Sequence, residues 1–332
     1  MPSLSSDADR IPAASAGAAG CGLVARYLQL TKARLSALVL MTTAVGFVLA
    51  AAGADDADWS AFLGTIVGTA LAAGAANALN QVLEIRRDAI MRRTRRRPLP
   101  AGELSARHAW ILAFSLAGAG LTTLLVLANG LAALLALLTI VIYAGLYTPL
   151  KVRSPLNTLM GAVCGAIPPM IGWAGARGSL DAGAFLLGAL LFVWQIPHFL
   201  SLAWVYRREY ARARFAMLPT VDQNGSLTGR IVLLTSLMLV PLTLTATLLG
   251  LAGWLYSLGA LGLGLWLLSR AVGLYARPSD AGARRVFLAS IVYLSLVLAL
   301  MVIDRGPVGS LTMPQYAAGS IGDLPVATMP AD

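Results

Sequence analysis

The sequence has few charged residues. Asp, Glu, Lys and Arg make up 12% of its 332 residues, whereas an average soluble domain carries about 25%. Hydrophobic residues make up 58% of the chain, and the mean hydropathy is +0.75. The composition therefore excludes an ordinary soluble domain and indicates a polytopic, all-α membrane protein.

Cysteine is also scarce, and a signal sequence is missing. Cys21 and Cys164 lie in different kinds of segment, which argues against a disulfide or a cysteine metal site. The first 22 residues contain Asp7, Asp9 and Arg10 and lack an apolar core of about 7–15 residues, which excludes a secretory signal or a transit peptide. We expect a disordered cytoplasmic tail over 1–25, a transmembrane domain over 26–305 and a flexible periplasmic tail over 306–332.

Long apolar runs dominate the rest of the chain. A membrane-spanning helix needs about 20 apolar residues, and nine runs qualify: 35–53, 61–82, 109–128, 131–149, 156–175, 183–205, 231–250, 252–270 and 286–303. All but two of the 25 Lys and Arg residues, Arg177 and Arg305, then fall on one side. The positive-inside rule places that side in the cytoplasm, with the amino terminus, and the carboxyl terminus in the periplasm. It also explains the net charge of +10 without nucleic acid.

Polar side chains cluster where the second run ends. A helical period places one set of them on a single face: Asn77, Asn80, Gln81, Glu84 and Asp88. Two carboxylates one turn apart repel each other, and carboxylate and amide oxygens are ligands that Mg²⁺ prefers. The face predicts a cation site. The alternative is a polar helix end whose amides bond to neighbouring helices.

A second polar group follows the sixth run. If one helix continues through it, Gln195, His198, Tyr206 and Glu209 share a face, and Tyr210 comes next. An ionisable residue within a span is a candidate site residue, although a bond from His198 to a neighbouring helix is the simpler interpretation. Pro197 predicts a local opening of this helix.

A third group lies between the first two, at the ends of runs four and five. It comprises Tyr147, Lys151, Arg153 and Asn157, and it predicts a cationic clamp for a diphosphate or carboxylate headgroup. The topology rule alone also accounts for Lys151 and Arg153. The Pro168-Pro169 pair predicts a break in run five near the middle of the membrane.

Together these features indicate a lipid diphosphate substrate. Asn80, Glu84, Asp88 and Glu209 are the expected Mg²⁺ ligands and catalytic residues. Neutralising the leaving diphosphate would lower the barrier to breaking an allylic C–O bond. An apolar interior, around a central cavity open toward the cytoplasm, would shield the resulting cation from water.

Several stretches resemble the protoheme IX farnesyltransferases, or heme O synthases, among the UbiA-type intramembrane prenyltransferases. They are NALNQVLEIRRDAIMRRTRRRPLPAG at 77–102, LTKARLSALVLMTTAVGF at 30–47, YTPLKVRSPLNT at 147–158, GAIPPMIGW at 165–173, WQIPHF at 194–199 and EYARARFAMLP at 209–219. The resemblance covers residues 30 to about 225. It implies nine helices, Mg²⁺ dependence, and transfer of farnesyl from farnesyl diphosphate to a vinyl group of heme B, with water addition to give heme O.

The resemblance also implies roles for further residues. Arg92 and Arg93 resemble diphosphate or propionate partners together with Lys151, and His198 resembles a heme-contacting residue and candidate axial ligand. Membrane lipid, heme A synthase and the terminal oxidase assembly are the implied partners. We expect a bacterial inner membrane rather than a mitochondrial one, because the first 22 residues contain two acids and one arginine, unlike a transit peptide. Arg214 and Ala216 stand where the family commonly has Gly and Pro, and Ala33 where it usually has Pro.

Two other functions compete with this interpretation. A related prenyltransferase would modify a quinone precursor or a chlorin and ignore heme. A heme or lipid transporter without catalysis would also have polar residues within spans, but these should lie nearer the midplane. The position of the acidic face near the cytoplasmic surface favours an enzyme.

Overall fold

The computed structural model describes residues 22–52, 58–222 and 224–305, except for the side chain of Arg34. The described part is all-helical, apart from an isolated bridge between Ala252 and Arg305. Its α-helices are α1 Leu23–Leu30, α2 Ala33–Ala50, α3 Trp59–Asp88, α4 Ala106–Leu127, α5 Gly130–Val141, α6 Thr148–Leu150, α7 Asn157–Arg177, α8 Ala182–Val205, α9 Arg207–Arg212, α10 Leu218–Val221, α11 Ser226–Leu248, α12 Trp254–Ala276 and α13 Asp280–Ile303.

The predicted count of spans agrees with this structure. By length and composition, eight helical segments of the described chain can cross a membrane, and a ninth span results if α1 and α2, bent by 60°, are counted together. The proposed tail 306–332 and residues 1–21 of the other tail lie outside the described residues, and α1 begins at Leu23. The chain is therefore a multi-pass membrane protein.

The helices pack around two hydrophobic clusters. One is built mainly by α8, α11, α12 and α13, and the other by α3, α4, α5 and α7. Helix α7 contributes to both and packs tightly on α2, because a side chain at Gly46 would collide with the carbonyl oxygen of Pro169 and one at Gly172 with that of Thr43. Small residues give such close approach in membrane helices, where burial of apolar surface supplies no drive for association.

Two expectations about proline were wrong. Helix α7 runs unbroken through Pro168 and Pro169, and α8 runs unbroken through Pro197. All three prolines are buried, and contacts with neighbouring helices can hold a proline-containing helix in register. The irregular turn lies elsewhere, in a π-helix over Ile142–Tyr147 that continues α5 into α6.

Candidate active site

Helix α3 presents the predicted polar face to the protein interior. The helix continues to Asp88, six residues past the predicted end of the span, so the acidic residues stay in helical register. All five polar residues of the face are buried, with exposed fractions of 6% or less. Buried charges require partners, and each of these five side chains has a hydrogen-bond or ion-pair partner.

Three cations meet this face, one for each predicted metal ligand on α3. Lys32 Nζ donates to Asn80 Oδ1 at 2.7 Å, Lys151 Nζ lies 2.9 Å from Glu84 Oε1, and Arg97 Nη1 lies 2.6 Å from Asp88 Oδ2. The cations come from three separate segments of the chain. The arrangement is a charge cluster at one end of the bundle, in which Lys151 is buried and Lys32 and Arg97 are half-buried. The prediction named only Lys151 among its three cations.

Lys32 lies at the bend between α1 and α2. Its backbone is left-handed, with φ of 49°, which L-residues rarely adopt. The two remaining amides of the α3 face hold this bend: Asn77 Nδ2 donates to the Thr31 carbonyl at 3.2 Å, and Gln81 Nε2 donates to the Leu30 carbonyl at 2.8 Å. In this structure Asn77 and Gln81 therefore bond to the backbone of a neighbouring segment, which was the alternative interpretation of the polar face. Substrate binding by these two residues stays a prediction.

Lys151 is enclosed by aromatic rings and by the chain that follows α9. Its Nζ lies 4.5 Å from the ring centre of Tyr147 and 5.9 Å from that of Phe215, and its carbonyl accepts a hydrogen bond from Ala216 N at 2.7 Å. Burial alone would lower the pKa of Lys151, but the negative charge of Glu84 and the hydrogen bond to it outweigh burial and raise that pKa. Lys151 is therefore a permanently charged group at neutral pH.

The π-helix connects the charge cluster to the interior of the bundle. Thr148 Oγ1 donates to the Tyr143 carbonyl at 2.8 Å and accepts from Asn80 Nδ2 at 3.0 Å. The hydroxyl thereby fixes the orientation of the Asn80 amide, whose oxygen faces Lys32. Single π-turns inside α-helices are frequent at functional sites. No local sequence pattern singled out Thr148, although it lies within the YTPLKVRSPLNT motif.

The second polar group reaches the same site, but not along one helix. Helix α8 ends at Val205, and Tyr206 leaves helical geometry with φ of −102° and ψ of 14°. Glu209 and Tyr210 therefore belong to the separate α9, and the expected single face from Gln195 to Glu209 was wrong. The chain turns at Tyr206 and folds back.

This turn places 206–217 beside the ends of α3 and α6. The side chains of Met91, Phe215 and Met217 form a small buried cluster with Ala203 and Ala213. Arg93 lies over the Tyr206 ring at 5.3 Å, and Asn157 Nδ2 donates to the Ala216 carbonyl at 2.8 Å. The first and third predicted groups and the part of the second group that follows α8 therefore meet at one end of the bundle.

The other predicted arginines stay at the surface. Arg92 and Arg153 are exposed, and within the described chain neither has an ion pair. Arg97, which the prediction passed over among eight arginines, forms the pair with Asp88. Contact of Arg92, Arg93 and Arg153 with an anionic substrate stays a prediction.

An apolar cavity of about 250 Å³ lies beside the charge cluster, since Tyr147, whose ring centre is 4.5 Å from Lys151 Nζ, is in its wall. Asn77 and Tyr147 line it near the cluster, and Cys164, Gln195 and His198 are also in its wall. Gly165 leaves the room that the Gln195 side chain occupies, because a Cβ there would collide with the Gln195 amide. The apolar cavity thus adjoins the charge cluster, which is the arrangement that a molecule with an anionic head and a hydrocarbon tail requires.

The donor set fits a hard divalent cation. Asp88 Oδ1 and Glu209 Oε2 are buried and lack a hydrogen-bond partner in the described part of the chain, which is costly for carboxylate oxygens. Carboxylate and amide oxygens suit Mg²⁺. Across 22–52, 58–222 and 224–305, however, no three His, Cys, Asp or Glu side chains already stand in a metal-binding group. The four predicted ligands are therefore candidates, and two of their oxygens are buried without a partner in the described part of the chain.

Comparison with known proteins identifies the class. Residues 39–297 match the model of the UbiA prenyltransferase family, and the chain belongs to that family. Its fold is similar to that of a digeranylgeranylglyceryl phosphate synthase (TM-score 0.71, 16% identity, 85% of this chain and 98% of the other). It is also similar to a UbiA homolog from Archaeoglobus fulgidus bound to GPP and Mg²⁺ (TM-score 0.58, 15% identity, 83% and 99%).

Sequence relatives give a narrower group within the family. The protoheme IX farnesyltransferase of Solibacter usitatus is 41% identical over 84% of this chain and 98% of its own length. The corresponding protein of Opitutus terrae is 44% identical over 84% and 94%. The mitochondrial protoheme IX farnesyltransferase of Homo sapiens is 41% identical over 87% of this chain and 63% of its own length.

Proposed function

We propose that this protein transfers the farnesyl group of farnesyl diphosphate to a vinyl group of heme B, with addition of water, to give heme O. The observation that carries the proposal is the charge cluster beside the apolar cavity, with Tyr147 in the cavity wall and its ring centre 4.5 Å from Lys151 Nζ. Similarity to the protoheme IX farnesyltransferases supports the choice of donor and acceptor.

The cluster is suited to bind a diphosphate. Lys32, Lys151 and Arg97 are already held at the site by oxygen acceptors that a diphosphate could replace. Asn80, Glu84, Asp88 and Glu209 would hold Mg²⁺, which neutralises charge on a leaving diphosphate. Charge-assisted hydrogen bonds to the oxygens that gain charge as the C–O bond breaks would lower the barrier.

The cavity is suited to receive the isoprenoid chain. Its wall is largely hydrocarbon, with the rings of Tyr143 and Tyr147 near the charged end. Aromatic faces stabilise cations, and exclusion of water protects an allylic cation from hydrolysis. The vinyl π-electrons of the acceptor would attack the carbon released from the diphosphate, and water would then add to the new cation beside the porphyrin.

Topology and partners follow from the same proposal. The charge cluster would face the cytoplasm of a bacterial inner membrane, because the arginine-rich connections lie at its end of the bundle. The product would pass to an enzyme that oxidises it further or to oxidase assembly, for which heme A synthase and the terminal oxidase are the candidates.

The test is product formation by the purified protein. Wild-type protein in lipid nanodiscs, given heme B, farnesyl diphosphate and Mg²⁺, should yield a heme heavier by one farnesyl group and one hydroxyl group, as read by mass spectrometry. Asp88→Asn should lower this rate at least about 100-fold, as loss of a group that stabilises developing charge does. Glu103→Gln is the matched control, since Glu103 pairs with Arg26 at 3.2 Å outside the cluster.

The same assay separates the rival functions. Absence of product from the wild-type protein would overturn the proposal, as would prenylation of an aromatic acid in preference to heme. An undiminished rate in Asp88→Asn would show that the cluster is not where the diphosphate leaves.

A further inference from the structure

Helix α13 brings an additional residue into contact with two side chains of the cavity wall. Ser290 is fully buried, and its hydroxyl lies 2.8 Å from Nδ1 of His198 on α8. The Ser290 carbonyl also accepts a hydrogen bond from Trp194 Nε1 at 2.7 Å. Both neighbours of Ser290 line the cavity. No sequence motif pointed to α13, which lies outside the stretches that carry the family resemblance.

The hydrogen-bond chain determines which nitrogen of His198 carries the proton. A serine hydroxyl has one hydrogen, and Ser290 Oγ donates it to the Phe287 carbonyl at 2.7 Å. Towards His198 the hydroxyl must therefore accept, because the opposite assignment would leave two oxygen acceptors facing each other at 2.7 Å. His198 Nδ1 is then the donor, and Nε2 carries the lone pair in the neutral ring.

The ring is also held in place by its aromatic neighbours. Its centroid lies 4.7 Å from that of Trp194, nearly parallel, and 4.8 Å from that of Phe287. Within the described chain Ser290 is its one hydrogen-bond partner, so Nε2 is left for a molecule in the cavity. A fixed ring with a defined tautomer is a preorganised proton acceptor.

We propose that Ser290 is a positioning residue that sets His198 as the proton acceptor in the hydration step. This inference rests on the proposed function. Water forms a C–O bond to the cation left on the acceptor after prenyl transfer, and one of its O–H bonds breaks. The O–H electron pair stays on oxygen and the proton passes to His198 Nε2, while the diphosphate has already departed with the C–O electron pair of the donor.

The test is the ratio of hydrated to unhydrated prenylated heme. Without a proton acceptor for water, the cation can instead lose a proton from carbon and form an alkene, which is lighter by one water. His198→Asn preserves a group that can bond to Ser290 and removes Nε2; it should lower the hydrated product about 100-fold. Ser290→Ala should lower it about 10-fold, as loss of a group that orients a histidine does, and Ser290→Thr should restore it.

A buried serine elsewhere supplies the control. Ser236 on α11 is fully buried and its hydroxyl lacks a partner in the described chain, so Ser236→Ala should behave as wild type. Consumption of farnesyl diphosphate should fall less than hydration in Ser290→Ala. Equal losses of both would show a structural role and overturn the inference.

Three further outcomes are decisive. If the wild type is active and the product ratio is unchanged in His198→Asn and Ser290→Ala, the proposed role of His198 is wrong. The proposed function would remain intact. A heme absorption spectrum that loses bound imidazole in His198→Asn, with hydration unchanged, would show that Nε2 binds iron instead of receiving the proton. Absence of any prenylated heme from wild type would instead refute the proposed function itself.

Discussion

Lys151 Nζ lies 2.9 Å from Glu84 Oε1, and both side chains are buried beside the apolar cavity. The two residues are 67 positions apart in the chain: Glu84 lies on α3, and Lys151 directly follows α6. A buried ion pair of this kind contributes little net stability, but removal of one partner leaves an uncompensated buried charge. The pair therefore allows stability and function to be separated.

Glu84→Ala should destabilise the protein by about 3–5 kcal/mol, because Lys151 would be left buried without the partner that offsets its burial. The double variant Glu84→Gln, Lys151→Met should recover most of that stability and remain inactive. Thermal unfolding in detergent and the prenyl-transfer assay measure the two effects. A double variant that regained activity would show that the pair is only structural.

Replacement of Arg214 by glycine should stabilise the protein. Its backbone is left-handed, with φ of 56°, and a residue with a Cβ pays about 1–2 kcal/mol in this region. Glycine, which the resembling family commonly has there, avoids that cost. Arg214→Gly should raise the free energy of unfolding by about 1 kcal/mol. Arg212→Gly, within α9, should lower it by a similar amount, and stabilisation by both changes would contradict this explanation.

A larger side chain at position 164 should change which length of prenyl chain the protein prefers. It is buried in the cavity wall, and Phe in its place would fill part of the 250 Å³. Cys164→Phe should lower kcat/KM for farnesyl diphosphate relative to geranyl diphosphate by at least about 10-fold, since small changes in an apolar pocket have effects of this size. Cys164→Ser should leave the ratio close to wild type. An unaltered ratio in Cys164→Phe would place the prenyl chain outside this cavity.

The sequence predicted the parts of this structure that depend on local periodicity. The polar face of α3 followed from the helical period, and the apolar runs located the spans. The predicted single face from Gln195 to Glu209 was wrong because the helix ends at Val205. The predicted break at Pro168-Pro169 was wrong because packing keeps α7 unbroken. Both outcomes depend on tertiary contacts, which the helical period of a sequence does not predict.

The sequence also did not predict which residues distant in the chain are partners. Arg97 is one of eight cations between the second and third apolar runs, and nothing local marks it as the partner of Asp88. Lys32 and Ser290 reach the site only because α2 and α13 pack beside it. The chemistry of the site could be inferred from α3 alone, whereas its completion required the fold.

The most direct test of the central claim is the Mg²⁺ dependence of farnesyl diphosphate binding to wild-type protein and to Asp88→Asn, measured by calorimetry in nanodiscs. The claim is that the α3 face binds a divalent ion together with the diphosphate. Mg²⁺ should tighten binding to wild type at least about 10-fold, or about 1.4 kcal/mol, and should have little effect on Asp88→Asn. Equal tightening in both proteins would contradict the account.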